Sequence, residues 1–153
     1  MEIERKFLVN TLPDLTAYPS KKLSQAYIST EPVIRLREMD SQFFLTVKSK
    51  GHLSREELEI PISHEEYINL YKKVEGHVIE KVRYYIPLNN ELTAELDIYH
   101  DFLEGLMTVE VEFSTEEAAN AFVPPSWFGK DITFDGRFKN NRLALDGNPM
   151  KEV

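Results

Sequence analysis

Apolar and polar residues alternate with period two over most of the chain, the spacing that sends successive side chains of a strand to opposite faces. Eight segments carry the pattern: residues 1–9, 24–30, 33–39, 42–49, 53–62, 77–87, 92–99 and 106–114. Two stretches break it. Tyr67, Leu70, Tyr71 and Val74 recur at helical spacing within Glu66 to Glu75, behind a Ser63-x-x-Glu66 capping box, and Ser114-x-x-Glu117 opens a short helix through Phe122. A third short helix is expected over Asn140 to Leu145. The eight prolines and six glycines fall between these segments as punctuation, with no internal repeat, low-complexity tract or linker. The loop Pro124 to Gly129 is left as either a lid or a packing anchor. The pattern predicts a mainly β (α+β) fold of antiparallel strands, and 153 residues fit a single domain, 1–153, large enough for a core without staples.

Parity sorts the strands into two surfaces. One is apolar: Ile3 and Phe7; Ile34 and Leu36; Leu45 and Val47; Leu58 and Ile60; Val78 and Val82; Leu96 and Ile98; Val109, Val111 and Phe113. The other carries Glu2, Glu4 and Lys6; Arg35 and Arg37; Lys48; Arg55, Glu57 and Glu59; Lys81 and Arg83; Glu95 and Asp97; Glu110 and Glu112. The plain interpretation of that second surface is the solvent face of a one-sided sheet. Its detail argues otherwise, because like charges recur in pairs on single strands. Side chains at i and i+2 lie roughly 7 Å apart, and such pairs set beside one another repel unless ions or ligands neutralise them.

Closing the sheet into a barrel resolves the repulsion. The apolar face then turns outward against helices and loops, and the charged face lines a lumen. Eight strands enclose space for about one small ligand. Carboxylate clusters beside guanidinium and ammonium clusters complement a polyanion that arrives with a divalent metal.

Composition narrows the chemistry further. Absence of cysteine removes disulfides, thiolate metal sites and thiol nucleophiles, and it fits a reducing compartment. Net charge is −8, which repels nucleic acid and anionic membrane. The charged face itself is nearly balanced, so the excess acid lies elsewhere. No apolar run reaches the roughly twenty residues of a membrane span, and the start of the chain does not resemble a signal peptide, so a cytoplasmic protein is expected. His52, His64, His77 and His100 lack metal-ligand spacing, and the glycines form no phosphate loop.

Glu2-Ile3-Glu4-Arg5-Lys6 resembles the Glu-x-Glu-x-Lys signature of the triphosphate tunnel metalloenzymes, the CYTH superfamily. Gln25-Ala26-Tyr27, Arg35-Leu36-Arg37, Thr46-Val47-Lys48, Glu57-Leu58-Glu59, Glu80-Lys81-Val82-Arg83, Glu95-Leu96-Asp97, Glu110-Val111-Glu112 and Arg137-Phe138-Lys139-Asn140 continue the likeness in order. The resemblance implies a closed eight-stranded antiparallel tunnel with a charged interior and a few flanking helices, binding triphosphates with Mg²⁺ or Mn²⁺. The short bacterial tripolyphosphatase branch is the most similar.

Roles follow on that basis. Metal ligands are expected from Glu2, Glu4, Glu57, Glu59, Glu110 and Glu112, with Asp97 in second rank. Lys6, Arg35, Arg37, Lys48, Arg83, Arg137 and Lys139 are expected to grip phosphate oxygens, the arginines as forks and the lysines as point charges. Lys81 is expected to serve the leaving phosphate or the developing charge, with Tyr27 placing Lys81 or the attacking water. The expected partner is a small-molecule triphosphate, without nucleic acid or membrane, and a homodimer is left open. A class IV adenylate cyclase or a thiamine triphosphatase would use the same tunnel, and a non-catalytic polyphosphate-binding module could dispense with the acids.

Overall fold

The computed structural model describes residues 1–150. Ten strands appear: β1 (Glu2–Val9), β2 (Ser20–Thr30), β3 (Val33–Met39), β4 (Gln42–Lys48), β5 (Ser54–Arg55), β6 (Glu57–Ile62), β7 (Glu75–Pro87), β8 (Thr93–His100), β9 (Met107–Glu112) and β10 (Phe128–Asp131). Three helices accompany them: α1 (His64–Tyr71), α2 (Glu116–Ala121) and α3 (Asn140–Asp146). None is long and apolar enough to cross a membrane.

All neighbouring strands are antiparallel, in the order β10-β1-β9-β8-β7-β2-β3-β4-β6, and β5 pairs with β1. That last pairing closes the circuit. The expected strand 53–62 divides at Glu56, whose backbone N–H and C=O are both taken by Ser49. Its later part, β6, stays on β4, while β5 crosses to Glu2 and Ile3 of β1. Counted by position around the circuit there are eight walls, as the sequence predicts, with β10 added outside them.

The second edge of β1 is therefore shared. β5 takes its start, and β10 pairs with it at Phe7 and Val9. Pro124 to Gly129 is a packing anchor: the Trp127 carbonyl accepts from the N–H groups of Asn10 and Thr11, and the Phe128 ring sits 5.1 Å from that of Phe7.

Local signals account for most ends. The Ser63/Glu66 capping box is formed in full, and α1 stops four residues before the expected Glu75 because β7 begins there. In α2 the cap is Thr115, whose side chain accepts from the Ala118 N–H, rather than Ser114. Asp40 and Ser41 both have positive φ in the two-residue turn between β3 and β4, the backbone that matches strand twist in a tight hairpin.

The core has two parts. One lies outside the barrel wall, where Phe7, Leu96, Val109 and Val111 pack beneath Ala119 of α2 and Phe128. The other differs from the expectation of a wholly charged lumen: Tyr27, Ile79, Tyr99, Leu103, Ile132, Phe138 and Leu143 form an apolar plug under α3. Gly76 lets α3 approach, since a Cβ there would lie 2.8 Å from the Ala144 carbonyl oxygen and its φ is +70°. The outer apolar face is covered in part, with Tyr67 of α1 against Phe43 of β4. Val47, Leu58 and Ile60 on β4 and β6 remain exposed to solvent.

Candidate active site

The inward faces converge on one elongated cavity of about 860 Å³ including its open mouths. β1 supplies Glu2, Glu4 and Lys6, β3 supplies Arg35 and Arg37, and β9 supplies Glu110 and Glu112, each set aligned by the two-residue pitch of its strand. Tyr27, Lys48, Glu57, Arg83 and Lys139 also line it. So do Arg55 and Glu95, which parity puts on the charged face but to which the sequence assigns no role.

Seven lining side chains are acidic and seven basic, so what matters is their distribution. Strands β1, β9 and β8 are adjacent and carry Glu2, Glu4, Glu110, Glu112 and Glu95. In an eight-walled circuit they stand opposite β2, β3 and β4, which carry Tyr27, Arg35, Arg37 and Lys48. An acidic arc thus faces a basic one, with Lys6 set among the acids and Glu57, on β6, between the two arcs.

The acidic arc is crowded. Glu4 and Glu110 hydrogen-bond one another; burial, reinforced by Glu110 and Glu2, pushes the Glu4 carboxyl well above its ordinary range. Burial acts on Glu110 in the same sense, but Lys6, Arg83 and the bond from Glu4 outweigh it and hold Glu110 well below. Glu57 and Glu2 form a second such couple, with Glu57 raised by burial and by Glu2. Burial opposes ionisation of Glu2, yet Lys48 and Glu57 lower it. The Lys48 ammonium is 3.1 Å from Glu2 and Arg55 Nε is 3.4 Å from the same oxygen.

Among the described residues no three acidic or histidine side chains come together as a ready-made metal cage. Mg²⁺ does not need one. It keeps several waters and takes one or two carboxylates together with substrate phosphate oxygens. Two hydrogen-bonded carboxyl couples in a half-buried lumen are a hard-oxygen donor set of that kind, and their mutual repulsion is what a divalent cation relieves.

The basic arc holds unspent donors. Arg35 is 4 % exposed; its Nη2 donates to Thr46 Oγ1 at 3.1 Å, while its Nε is buried without a partner. Arg37 gives Nε and Nη2 to the Gln25 side-chain oxygen, at 3.2 and 3.0 Å. Lys6 Nζ donates to the Phe138 carbonyl at 2.7 Å and stands 3.8 Å from Glu110. Lys139 donates to the Gly51 carbonyl.

Four sequence candidates stand apart from the cavity lining. Asp97 is fully buried beneath it, clasped by Arg83 through Nε–Oδ1 at 2.7 Å and Nη2–Oδ2 at 2.9 Å, and it is 2.8 Å from Lys81 Nζ. Both its oxygens are engaged by cations of the protein. Lys81 is equally buried; burial, against the pull of Asp97, brings its ammonium down to about 7. It pairs across the sheet with Leu23, four residues before Tyr27, and the Tyr27 hydroxyl bonds to Gln25 instead. Glu59 accepts from Thr46 and stands 3.7 Å from Arg35 Nη2, held at the wall by these two neighbours. Arg137 is exposed and clasps Asp135 at 2.7 Å.

Gln25 enters the sequence reading only as part of Gln25-Ala26-Tyr27, with no role of its own. It shares the parity of Tyr27 on β2, two positions away, and that parity was signal enough to place it. The mouth residues His52 and Thr133 come from loops, where no periodicity exists to read, and Asn140 and Asn141 open the expected helix α3.

The geometry agrees with comparisons to known proteins. Residues 1–123 match the model of the CYTH domain family. The chain is 47% identical over 149 residues to a Nitrosomonas europaea protein named inorganic triphosphatase, covering 94% of this chain and 97% of that protein. It is 34% identical over 155 residues to an inorganic triphosphatase of Acetivibrio thermocellus, covering 98% and 96% respectively. Among solved structures, that of the inorganic triphosphatase NE1496 superposes with a TM-score of 0.71 at 42% identity, covering 95% of each chain.

Proposed function

This chain belongs to the CYTH domain family, and from that premise we propose that it is a triphosphatase that hydrolyses the terminal phosphoanhydride of inorganic tripolyphosphate with the help of Mg²⁺ or Mn²⁺. The observation that carries this reading is the opposition of two arcs: the buried Arg35 guanidinium on β3, whose Nε has no partner, facing the Glu4–Glu110 carboxyl couple on β1 and β9. The names of the relatives support the same reaction.

Phosphate oxygens lie along the basic arc. Arg35 offers its free Nε and outer nitrogens, Arg37 the face of its fork turned away from Gln25, and Lys48, Lys6 and Lys139 add point charges. Arg83 enters with all its nitrogens already engaged by Asp97 and Glu95, so it contributes a fixed positive field rather than a free fork. The acids Glu2, Glu4, Glu57, Glu110 and Glu112 are the residues that would hold the cation. When bound, the cation neutralises phosphate oxygens and lowers the pKa of an adjacent water.

Water oxygen attacks the terminal phosphorus, the bond from that phosphorus to the bridging oxygen breaks, and orthophosphate and pyrophosphate result. Catalysis of this kind is positioning and charge stabilisation, which a rigid barrel wall supplies. Lys81 acts in this arrangement through Asp97, which sets Arg83. Tyr27 meets the substrate through its hydroxyl.

Incubation with Mg²⁺ or Mn²⁺ and, in parallel, tripolyphosphate, ATP and thiamine triphosphate tests the reading. Fastest phosphate release from tripolyphosphate is expected. Cyclic AMP formed from ATP as the main product would replace the hydrolase by a cyclase, and binding without turnover of any substrate would leave a phosphate-binding module.

A further inference from the structure

Gln25 has no exposure to solvent, yet each polar atom of its side chain serves a residue of the cavity. Its oxygen accepts two hydrogen bonds from Arg37, and its nitrogen donates to the Tyr27 hydroxyl at 3.0 Å. Chemistry settles which way the amide points. A guanidinium has only donors, so the oxygen must face Arg37 and the NH₂ must face Tyr27.

The Tyr27 oxygen therefore accepts a hydrogen bond from Gln25 and cannot return one along the same line. Its own hydrogen must seek an acceptor elsewhere. Tyr27 lines the cavity with only 2 % exposure, and burial holds the phenol above its ordinary pKa, so the hydrogen is present at neutral pH. The basic arc in front of it contains donors only. Among the described residues the one hydrogen bond at this hydroxyl is the one it accepts, so its hydrogen is free for an oxygen that enters the cavity.

We propose that Gln25 is a positioning residue that fixes the Tyr27 hydroxyl as a donor to a substrate phosphate oxygen and, through the same amide, sets the plane of the Arg37 fork. This rests on the triphosphatase reading for the nature of the ligand. It adds a residue that touches no substrate but decides the polarity of one that does. A hydroxyl can otherwise donate or accept, and in an anion site only donation is useful.

Gln25→Glu reverses the polarity at nearly unchanged shape. The carboxylate still accepts from Arg37, but its second oxygen accepts where the amide donated, so the Tyr27 hydroxyl turns to bond that carboxylate and is lost to the ligand. The test is a cycle of wild type, Gln25→Glu, Tyr27→Phe and the double variant, measured as KM and kcat for tripolyphosphate with Mg²⁺. Should wild type not turn over, the same four proteins are compared by calorimetric binding of tripolyphosphate with Mg²⁺.

Gln25→Glu is expected to weaken tripolyphosphate at least about tenfold more in the Tyr27 protein than in Tyr27→Phe, the size of one hydrogen bond to a charged oxygen. The added negative charge repels the ligand in both backgrounds and cancels in the comparison. A general loosening of the wall would also act in both. Equal effects in the two backgrounds overturn the proposal. If Gln25→Glu does not fold, Gln25→Met takes its place in the cycle, with roughly a two- to fivefold difference between backgrounds expected and no difference contradicting. Binding without turnover in wild type would sink the triphosphatase reading while the cycle still judges Gln25; no binding at all would remove both.

Discussion

Arg83 and Asp97 face each other across β7 and β8 as a two-pronged pair, with N–O distances of 2.7 and 2.9 Å and the carboxylate fully buried. Lys81 completes the group at 2.8 Å. Two cations share one carboxylate out of reach of water, and on this geometry we propose that Asp97 acts as structural cement beneath the site. Asp97→Asn would leave Lys81 without its counter-charge and Arg83 with Glu95 alone. The expected cost is roughly 3–5 kcal/mol in urea unfolding, with Mn²⁺ affinity of whatever protein remains folded unchanged. A large loss of Mn²⁺ affinity at intact stability would return Asp97 to the metal.

Arg35 offers the opposite case, a buried cation with a donor to spare. Arg35→Lys keeps the charge and forfeits the fork. KM for tripolyphosphate should rise roughly tenfold or more, while thermal unfolding moves little. An unchanged KM would mean that charge alone matters at this position.

The Glu4–Glu110 couple links metal to protons. Burial and its acidic neighbours raise the Glu4 carboxyl well above the ordinary range, so it holds its proton to higher pH than an ordinary carboxyl, and a metal ligand must give that proton up. Mg²⁺ or Mn²⁺ binding should release up to about one proton and tighten as pH rises. Calorimetry in two buffers of different ionisation heat measures the release, and Glu4→Gln should abolish it. Binding heats independent of the buffer would show that the couple is not displaced.

Lys81 makes stability depend on pH in an unusual direction. Its folded pKa is brought down to about 7 from the ordinary lysine value of 10.5, so between those values the unfolded chain binds the extra proton. Stability contributed at this site therefore rises with pH across that window. Wild type should gain resistance to urea from pH 7 to about pH 9.5 relative to Lys81→Met, which lacks the group. Parallel profiles for the two proteins would contradict it.

How far the sequence reaches is clear from individual residues. Period-two alternation places Glu2, Glu4, Lys6, Arg35, Arg37, Lys48, Glu110 and Glu112 on the cavity correctly, because strand pitch is a local property and the like-charge pairs reveal which face is inside. Depth along the tunnel is not local. Lys81 and Asp97 have the same parity as Arg83, yet lie beneath the lining, because the plug under α3 occupies that end of the lumen. Arg137 belongs to a short 3₁₀ turn and, exposed, pairs with Asp135 two residues away, a local contact that strand parity does not reach. The break at Glu56 and the edge strand β10 depend on pairings with β1 made across most of the chain, which no periodicity announces.

At the centre of the proposed chemistry is a cavity that directs water to the terminal phosphorus of a triphosphate. The decisive experiment turns over tripolyphosphate with Mg²⁺ in ¹⁸O-labelled water and follows the products by ³¹P NMR. One orthophosphate and one pyrophosphate are expected per turnover, with the label in the orthophosphate and no reaction in excess EDTA. Label in the pyrophosphate, or no phosphate released at all, would contradict the proposed reaction.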